Sequence, residues 1–135
     1  MNAFSSGPDS LPRNRQAALV RILEEMNERG QFQTSVLASA DGLPLASVTS
    51  HFEAETMAAM VALVKNVARR AQTHIGLQQV DEVSIVDSNR MRLICRPLMV
   101  DGEELVLTIV TLPDRTYRRL TNHAIHEIRR AWCRS

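Results

Sequence analysis

The chain is poor in aromatic side chains and in cysteine. Aromatic residues make up 4% of its 135 residues, which argues against the stacking platforms that hold single-stranded nucleic acid. The two cysteines, Cys95 and Cys133, have neither the spacing of a disulfide framework nor that of a zinc ribbon. They indicate a reducing compartment, and the N-terminus has no basic and apolar signal pattern, so we expect a cytoplasmic protein.

Motifs for nucleotide binding and for catalysis are missing. There is no G-x-x-x-x-G-K-[ST] and no G-x-G-x-x-G, so we expect no nucleotide site on the chain itself. His51 and His74 have no recognisable catalytic partner, and without a nucleophile–base pair we predict no enzyme activity. His123 and His126 have a spacing that permits shared metal ligation, but no acidic or thiol ligand accompanies them. We therefore predict no catalytic residue, no cofactor and no metal site.

Strong net charge and long hydrophobic runs are absent as well. A net charge of +1 produces no overall field toward nucleic acid or acidic membranes. The apolar run Met57–Val64 is shorter than the roughly 20 residues of a membrane span. We therefore expect neither nucleic-acid binding nor membrane insertion. The length suits one domain, which we assign to residues 12–133, after a disordered Ser/Gly/Pro-rich leader over residues 1–11.

Periodicity and turn signals predict three helices and five strands. The helices are expected over Pro12–Arg29, about Glu55–Ile75 and Arg115–Cys133. The strands are expected over Val36–Ala40, Leu45–Val48, Val80–Asp87, Met91–Arg96 and Leu105–Val110. Asp41-Gly42 and Asp101-Gly102 predict hairpin turns, and Pro97 predicts the end of a strand or a bulge. The chain is therefore predicted to be an α+β protein with the order α-β-β-α-β-β-β-α.

The second predicted helix contains eight consecutive apolar residues, Met57–Val64. A helix that covers one face of a sheet needs only one apolar stripe, whereas this run surrounds the helix completely. We expect it to be covered on more than one side, by a second copy of the chain or by a protein partner. The alternative is a central helix that is buried by its own chain.

This order resembles the roadblock family of dynein light chains and bacterial MglB-like regulators of small GTPases. The most specific element is the Asp-Gly-Leu-Pro-Leu-Ala sequence of Asp41–Ala46, supported by the Ala-rich second helix and by Arg96-Pro97-Leu98. The resemblance implies an α/β sandwich, with a five-stranded antiparallel sheet between one helix on one face and two on the other. It also implies a homodimer formed through the second helix and the strand Val80–Asp87, and a Ras-like small GTPase as partner.

The second helix carries the predicted contact sites. Residues at spacings of three and four share a face, and the face expected to contact the GTPase, or only the sister subunit, comprises Ala58, Ala62, Lys65, Arg69 and Thr73. The stripe expected to face the sheet comprises Met60, Val64, Val67, Ala71 and Ile75. The predicted dimer contacts are Ala59, Leu63, Asn66 and Arg70 on the helix, with Val83 and Ile85 on the third strand. By the resemblance, reordering of the GTPase's own switch loops is favoured over an arginine finger.

The last helix places basic side chains on one face, namely Arg115, Arg119, His123, His126 and Arg130. Such a face could bind an acidic or phosphate-rich partner, although a solvated surface is the more common explanation.

For the whole chain we favour an adaptor that modulates the nucleotide cycle of a small GTPase. The alternative is a scaffold subunit of a dynein-type or membrane-recruitment complex that is insensitive to nucleotide state, and a small-molecule sensor is a third reading.

Overall fold

The computed structural model describes residues 13–49 and 51–134. The predicted leader therefore lies outside the described residues. Within them the elements follow the predicted order, with these bounds: α1 (Arg13–Gly30), β1 (Thr34–Ser39), β2 (Pro44–Val48), α2 (His51–Ile75), β3 (Val83–Val86), β4 (Arg92–Val100), β5 (Glu103–Thr111) and α3 (Arg118–Arg134).

The five strands form one antiparallel sheet in the order β2-β1-β5-β4-β3. Helices α1 and α3 pack on one face of the sheet, where they contribute Leu19, Leu23 and Ile128 to the larger hydrophobic core. Helix α2 packs on the other face, where Ala58 and Val61 join a smaller core. The predicted sandwich of a five-stranded antiparallel sheet between one helix and two is confirmed.

The central strands have no solvent face. In β1, Leu37 points into the larger core while its neighbours Val36 and Ala38 point into the smaller one. In β5, Leu107 points into the larger core and Val106 into the smaller one. Successive side chains of a strand point to opposite faces, so a strand with a layer on each side is apolar throughout.

Two hairpin turns form at the predicted Asp-Gly pairs. Asp101 and Gly102, between β4 and β5, have φ values of 52° and 80°, as a two-residue turn with both residues in the left-handed region requires. Gly42, between β1 and β2, has a φ of 93°. A Cβ added there would lie 3.1 Å from the carbonyl oxygen of Ala58, so this glycine also lets the hairpin approach α2 closely.

Several boundaries differ from the prediction. Helix α2 begins at His51 rather than near Glu55, and the Thr49 hydroxyl donates a hydrogen bond to the Glu53 carboxylate in its first turn. Strand β3 spans Val83–Val86 rather than the predicted Val80–Asp87. Helix α3 begins at Arg118 rather than Arg115, after a turn in which Asp114 has a φ of 64°.

The fourth strand does not end or bulge at Pro97. Pro97 pairs in register with Val106 of β5, and β4 continues to Val100. On the other side of β4, the pairing with β3 stops at Cys95 and Val83. Because β4 has only one partner strand at Pro97, the missing N–H removes no bond from a second neighbour.

Candidate functional site

The sheet-facing stripe of α2 consists mainly of small residues. Ala54, Ala58, Val61 and Ala68 are all buried, and they recur at spacings of three, four and seven that keep side chains on one helix face. Small side chains allow the helix to lie close to β1 and β2, the strands that it contacts. The buried stripe orients the whole helix and therefore decides which residues face outward.

Lys65 lies near this buried stripe rather than on an outward face. Its Nζ is 2.7 Å from Oε2 of Glu104 on β5, and 21% of its side chain is exposed. The methylene groups of a lysine can pack along apolar surface while the ammonium group reaches a carboxylate at the margin. Lys65 therefore contributes to the attachment of α2 to the sheet.

The predicted GTPase-contact face is consequently not one surface. Ala58 has no exposed area and lies in the smaller core, so its assignment to an outward face was wrong. Lys65 is occupied by its ion pair. The other three residues, Ala62, Arg69 and Thr73, are exposed, and their contact with a GTPase stays a prediction.

The predicted sheet-facing stripe was wrong for three of its five residues. Met60, Val67 and Ile75 are 38%, 59% and 74% exposed, whereas Val64 packs against the smaller core, as predicted, and Ala71 is half-buried at the side of the helix. These exposed side chains point away from the sheet because the stripe led by Ala54 and Ala58 points toward it.

The surface of α2 opposite the buried stripe is apolar, and we call Ala59, Met60, Leu63 and Val67 the outer α2 face. Leu63 is 68% exposed, and Arg70 continues the same row with a charge. Among the predicted dimer contacts, Ala59, Leu63, Asn66 and Arg70 are all exposed. The structure thus leaves these side chains available, and their role in a dimer stays a prediction.

Strand β3 forms an edge of the sheet and is also apolar where it is exposed. Among the described residues it pairs only with β4, so within that part of the chain the backbone donors and acceptors of its other edge have no strand partner. Ile85 and Val86 are 51% and 44% exposed, while Val83 is half-buried against the smaller core. A short apolar edge strand of this kind is a template for pairing with another chain.

The start of β3 is held by ion pairs to α3. Nη2 of Arg118 lies 2.5 Å from Asp81 and Nη1 lies 2.8 Å from Glu82. The hydrogen bond from Arg118 holds the pKa of Asp81 below its usual value, against the opposing effect of burial, and the charge of Arg96 lowers it further. The Tyr117 hydroxyl donates to Oε2 of Glu82 at 2.6 Å, and this hydrogen bond raises the pKa of Tyr117.

A buried arginine joins the same segment to α3. Arg96 on β4 is 4% exposed and donates to Oγ1 of Thr121 at 2.7 Å and to Oδ1 of Asn122 at 2.9 Å. It also donates to the backbone carbonyl of Asp81 at 3.2 Å. A buried guanidinium needs such partners because unpaired buried charge is costly. Arg96 thus ties β4, α3 and the approach to β3 together.

A match to a known family agrees with this arrangement. Residues 19–111 match the model of the Roadblock/LC7 domain, which covers more than half of the chain. The chain belongs to the Roadblock/LC7 family. The match includes the Gly42 hairpin, α2, β3 and the Arg96-Pro97-Leu98 sequence, whereas α3 lies beyond it.

Solved structures share the roadblock fold across nearly the whole chain. MglB of Myxococcus xanthus is similar with a TM-score of 0.75 and 12% identity, covering 92% of this chain and 94% of its own. The gliding protein MglB of Thermus thermophilus has a TM-score of 0.72 and 18% identity, covering 93% and 96%. A Roadblock/LC7 domain of Streptomyces avermitilis has a TM-score of 0.70 and 16% identity, covering 86% and 98%. No curated protein sequence matches significantly.

The described roadblock surface offers contacts on α2 for another protein. Within residues 13–49 and 51–134, no group of three or more His, Cys, Asp and Glu side chains could hold a metal ion. In the same described part of the chain, no helix is long and apolar enough to cross a membrane. The outer α2 face combines apolar side chains with the flanking Arg70, which suits the binding of another protein.

Sequence reasoning missed Met60, Val67 and Val86 as exposed surface residues. Met60 and Val67 had been assigned to the sheet because they are apolar. The alanines of α2 give no signal that would have placed them outward, because Ala59 and Ala62 are exposed whereas Ala54, Ala58 and Ala68 are buried.

Proposed function

We propose that this roadblock protein forms a homodimer through α2 and β3, and that the dimer binds a Ras-like small GTPase and modulates its nucleotide cycle. The observation that carries the proposal is the exposure of Leu63 and Val67 on α2 together with that of Ile85 on an edge strand. An exposed apolar surface marks a site of interaction with another protein, and an exposed strand edge is a template for pairing with another chain.

Dimerisation through β3 would join two sheets. Antiparallel pairing of two β3 edges around a two-fold axis would form a ten-stranded sheet from two five-stranded ones. Such an axis, perpendicular to the sheet, would keep both α2 helices on one face and both pairs of α1 and α3 on the other. The two outer α2 faces could then cover each other.

The GTPase would contact the residues of α2 that such a dimer leaves open. Ala62, Arg69 and Thr73 lie on the exposed flank between the buried stripe and the outer α2 face. Ala62 permits close approach, and Arg69 supplies charge beside it. Since the described residues include no nucleophile–base pair that could act on a nucleotide, the effect would come from holding the GTPase's own switch loops in a reactive arrangement.

The proposal is tested with the small GTPase encoded nearest to this gene. The two proteins are co-expressed, and complex formation and GTP turnover are measured in the GTP-bound and GDP-bound states. We expect a complex that depends on nucleotide state and a changed rate of hydrolysis. Equal binding in both states would support a scaffold instead, and absence of a complex in either state would remove the GTPase from the proposal.

A matched pair of substitutions locates the contact. Ala62→Glu places a carboxylate on the exposed flank of α2 and should weaken GTPase binding by tenfold or more, a loss of about 1.4 kcal/mol. Ala17→Glu makes the same change at an exposed position of α1, on the opposite side of the sheet, and should leave binding unchanged. Equal affinities of the two variants would place the contact elsewhere.

A further inference from the structure

Helix α3 concentrates the positive charge of the chain. Its sequence, Arg118–Arg134, contains five arginines and one glutamate, a formal charge of +4. Since the whole chain carries +1, the remaining residues together carry −3. The near-neutral total therefore conceals a strongly basic helix.

The basic side chains of α3 point away from the sheet. Ala124, Ile128 and Trp132 bury the opposite side of the helix in the larger core, and this packing fixes its rotation. The residues we call the α3 basic row are all exposed: Arg119, His123, His126 and Arg130 on the helix, together with Arg115, which lies three residues before the helix begins. From Arg119 to Arg130 the row extends about 16 Å at 1.5 Å per residue.

Little in the fold neutralises the α3 basic row. Arg130 lies 3.5 Å from Glu127, a neighbour on the same helix. Within the described part of the chain, Arg119, His123 and His126 form no ion pair or hydrogen bond through their side chains. By contrast, Arg96 and Arg118 on the same side of the sheet have carboxylate partners. The formal charge of the row therefore comes from its three arginines, since the histidines are counted as neutral at pH 7, and Glu127 partly offsets Arg130.

We propose that the α3 basic row binds the anionic lipid headgroups of a membrane surface. A specific protein interface is usually centred on a buried aromatic, aliphatic or arginine anchor in a desolvated pocket, and the row itself contains no apolar side chain. Single-stranded nucleic acid is held in grooves with aromatic platforms, whereas the row carries no aromatic platform. The groove that His123 and Arg130 border, between α1 and α3, also contains the carboxylates of Glu25 and Glu127, which disfavours a phosphate bound within it. An extended layer of negative charge fits the exposed arginines spread along the row best.

The row and the outer α2 face lie on opposite sides of the sheet. A membrane bound at α3 would leave α2 free for another protein, so the chain could hold a partner near a surface. Each chain has its own row, and the proposal does not depend on a GTPase. In the proposed dimer both rows would share one face, which would increase the affinity through multivalency.

Binding is measured by co-sedimentation with vesicles of phosphatidylcholine alone and of phosphatidylcholine mixed with phosphatidylglycerol. We expect binding to the mixed vesicles only, decreasing as salt is added, because the attraction falls off within a Debye length. Glycerol phosphate in solution should not release the protein, since the row is a surface rather than a phosphate pocket.

Two variants with the same change in net charge make the test specific. Arg115→Gln/Arg119→Gln removes two charges from the row and should weaken vesicle binding by about 25-fold, at roughly fivefold for each basic residue. Gln72→Glu/Gln78→Glu lowers the net charge equally at exposed positions on and just after α2, and should change binding much less. Far-UV circular dichroism checks that both variants are folded.

Several outcomes would overturn the proposal. These are equal binding to both kinds of vesicle, equal loss in the two double variants, and release by glycerol phosphate. Tight binding to a DNA duplex with no binding to the mixed vesicles would assign the row to nucleic acid instead.

Discussion

Replacing Leu63 with lysine places a charge on the most exposed large apolar side chain of the outer α2 face. Leu63 is 68% exposed in the single chain, so the substitution removes few contacts within the chain. Surface substitutions of this kind usually change the free energy of unfolding by less than about 0.5 kcal/mol. The variant should therefore fold normally, and any effect should appear in the association of two chains.

The size of that effect follows from the area that a dimer would bury. Burying the exposed part of one leucine side chain contributes about 1–2 kcal/mol. A two-fold interface contains the residue twice, so the loss is about 2–4 kcal/mol before charge is considered. Two lysines near the axis, with Arg70 on the same face, add repulsion. The dissociation constant of the dimer should rise by about 30-fold to 1,000-fold.

The molar mass in solution is measured by light scattering after size-exclusion chromatography, over a series of protein concentrations. Met99→Lys is the matched control, because it adds the same charge at an apolar residue that is 46% exposed on a strand outside the proposed interface. We expect Leu63→Lys to be monomeric where the control and the unchanged protein are dimeric.

A dimer of Leu63→Lys as tight as that of the control would refute the assignment of the outer α2 face to the dimer interface. A monomeric unchanged protein at every concentration would remove the homodimer itself. The hydrodynamic result is independent of any GTPase, so it separates failure of the dimer from failure of the partner assignment.

Three further predictions concern the ion pairs and the cysteines. Arg96→Met should lower the free energy of unfolding by about 3 kcal/mol, because it leaves buried partners unpaired. Arg118→Met, at a half-exposed ion pair, should lower it by less than about 1 kcal/mol. Urea unfolding of both variants compares the two free energies. Because Arg118 lowers the pKa of Asp81, this carboxylate stabilises the fold above its unfolded pKa, and the contribution should disappear as the pH falls through the lowered pKa. Urea titrations at decreasing pH should show a smaller loss in Arg118→Met, and equal losses would contradict the assignment. Cys133 is exposed, whereas Cys95 is buried and burial raises the pKa of the Cys95 thiol. A thiol reagent should therefore modify one cysteine in the native protein and two in urea. Rapid modification of native Cys133→Ser would disprove this.

The order of elements was predictable because each element has a strong local signal. Asp101 and Gly102 form the hairpin turn that an Asp-Gly pair favours. The apolar strand Leu105–Val110 lies in the interior of the sheet, as its composition indicates. The path of β4 through Pro97 was not predictable in this way. It depends on where β3 stops pairing, at Val83 and Cys95, which is a property of the sheet rather than of the local sequence.

The rotation of α2 could not be predicted from the run Met57–Val64, because eight apolar residues mark no side of a helix. Lys65 was the first charged residue after the run, and placing it outward rotated the predicted faces, so that Ala58 was assigned to the surface and Met60 to the sheet. In the structure the charge of Lys65 is satisfied by Glu104, a residue 39 positions away on β5. Pairing over such a separation leaves no trace in helical periodicity. Side-chain size does not resolve the rotation either, because Ala59 and Ala62 are exposed while Ala54, Ala58 and Ala68 are buried; the rotation is set by packing against strands distant in sequence.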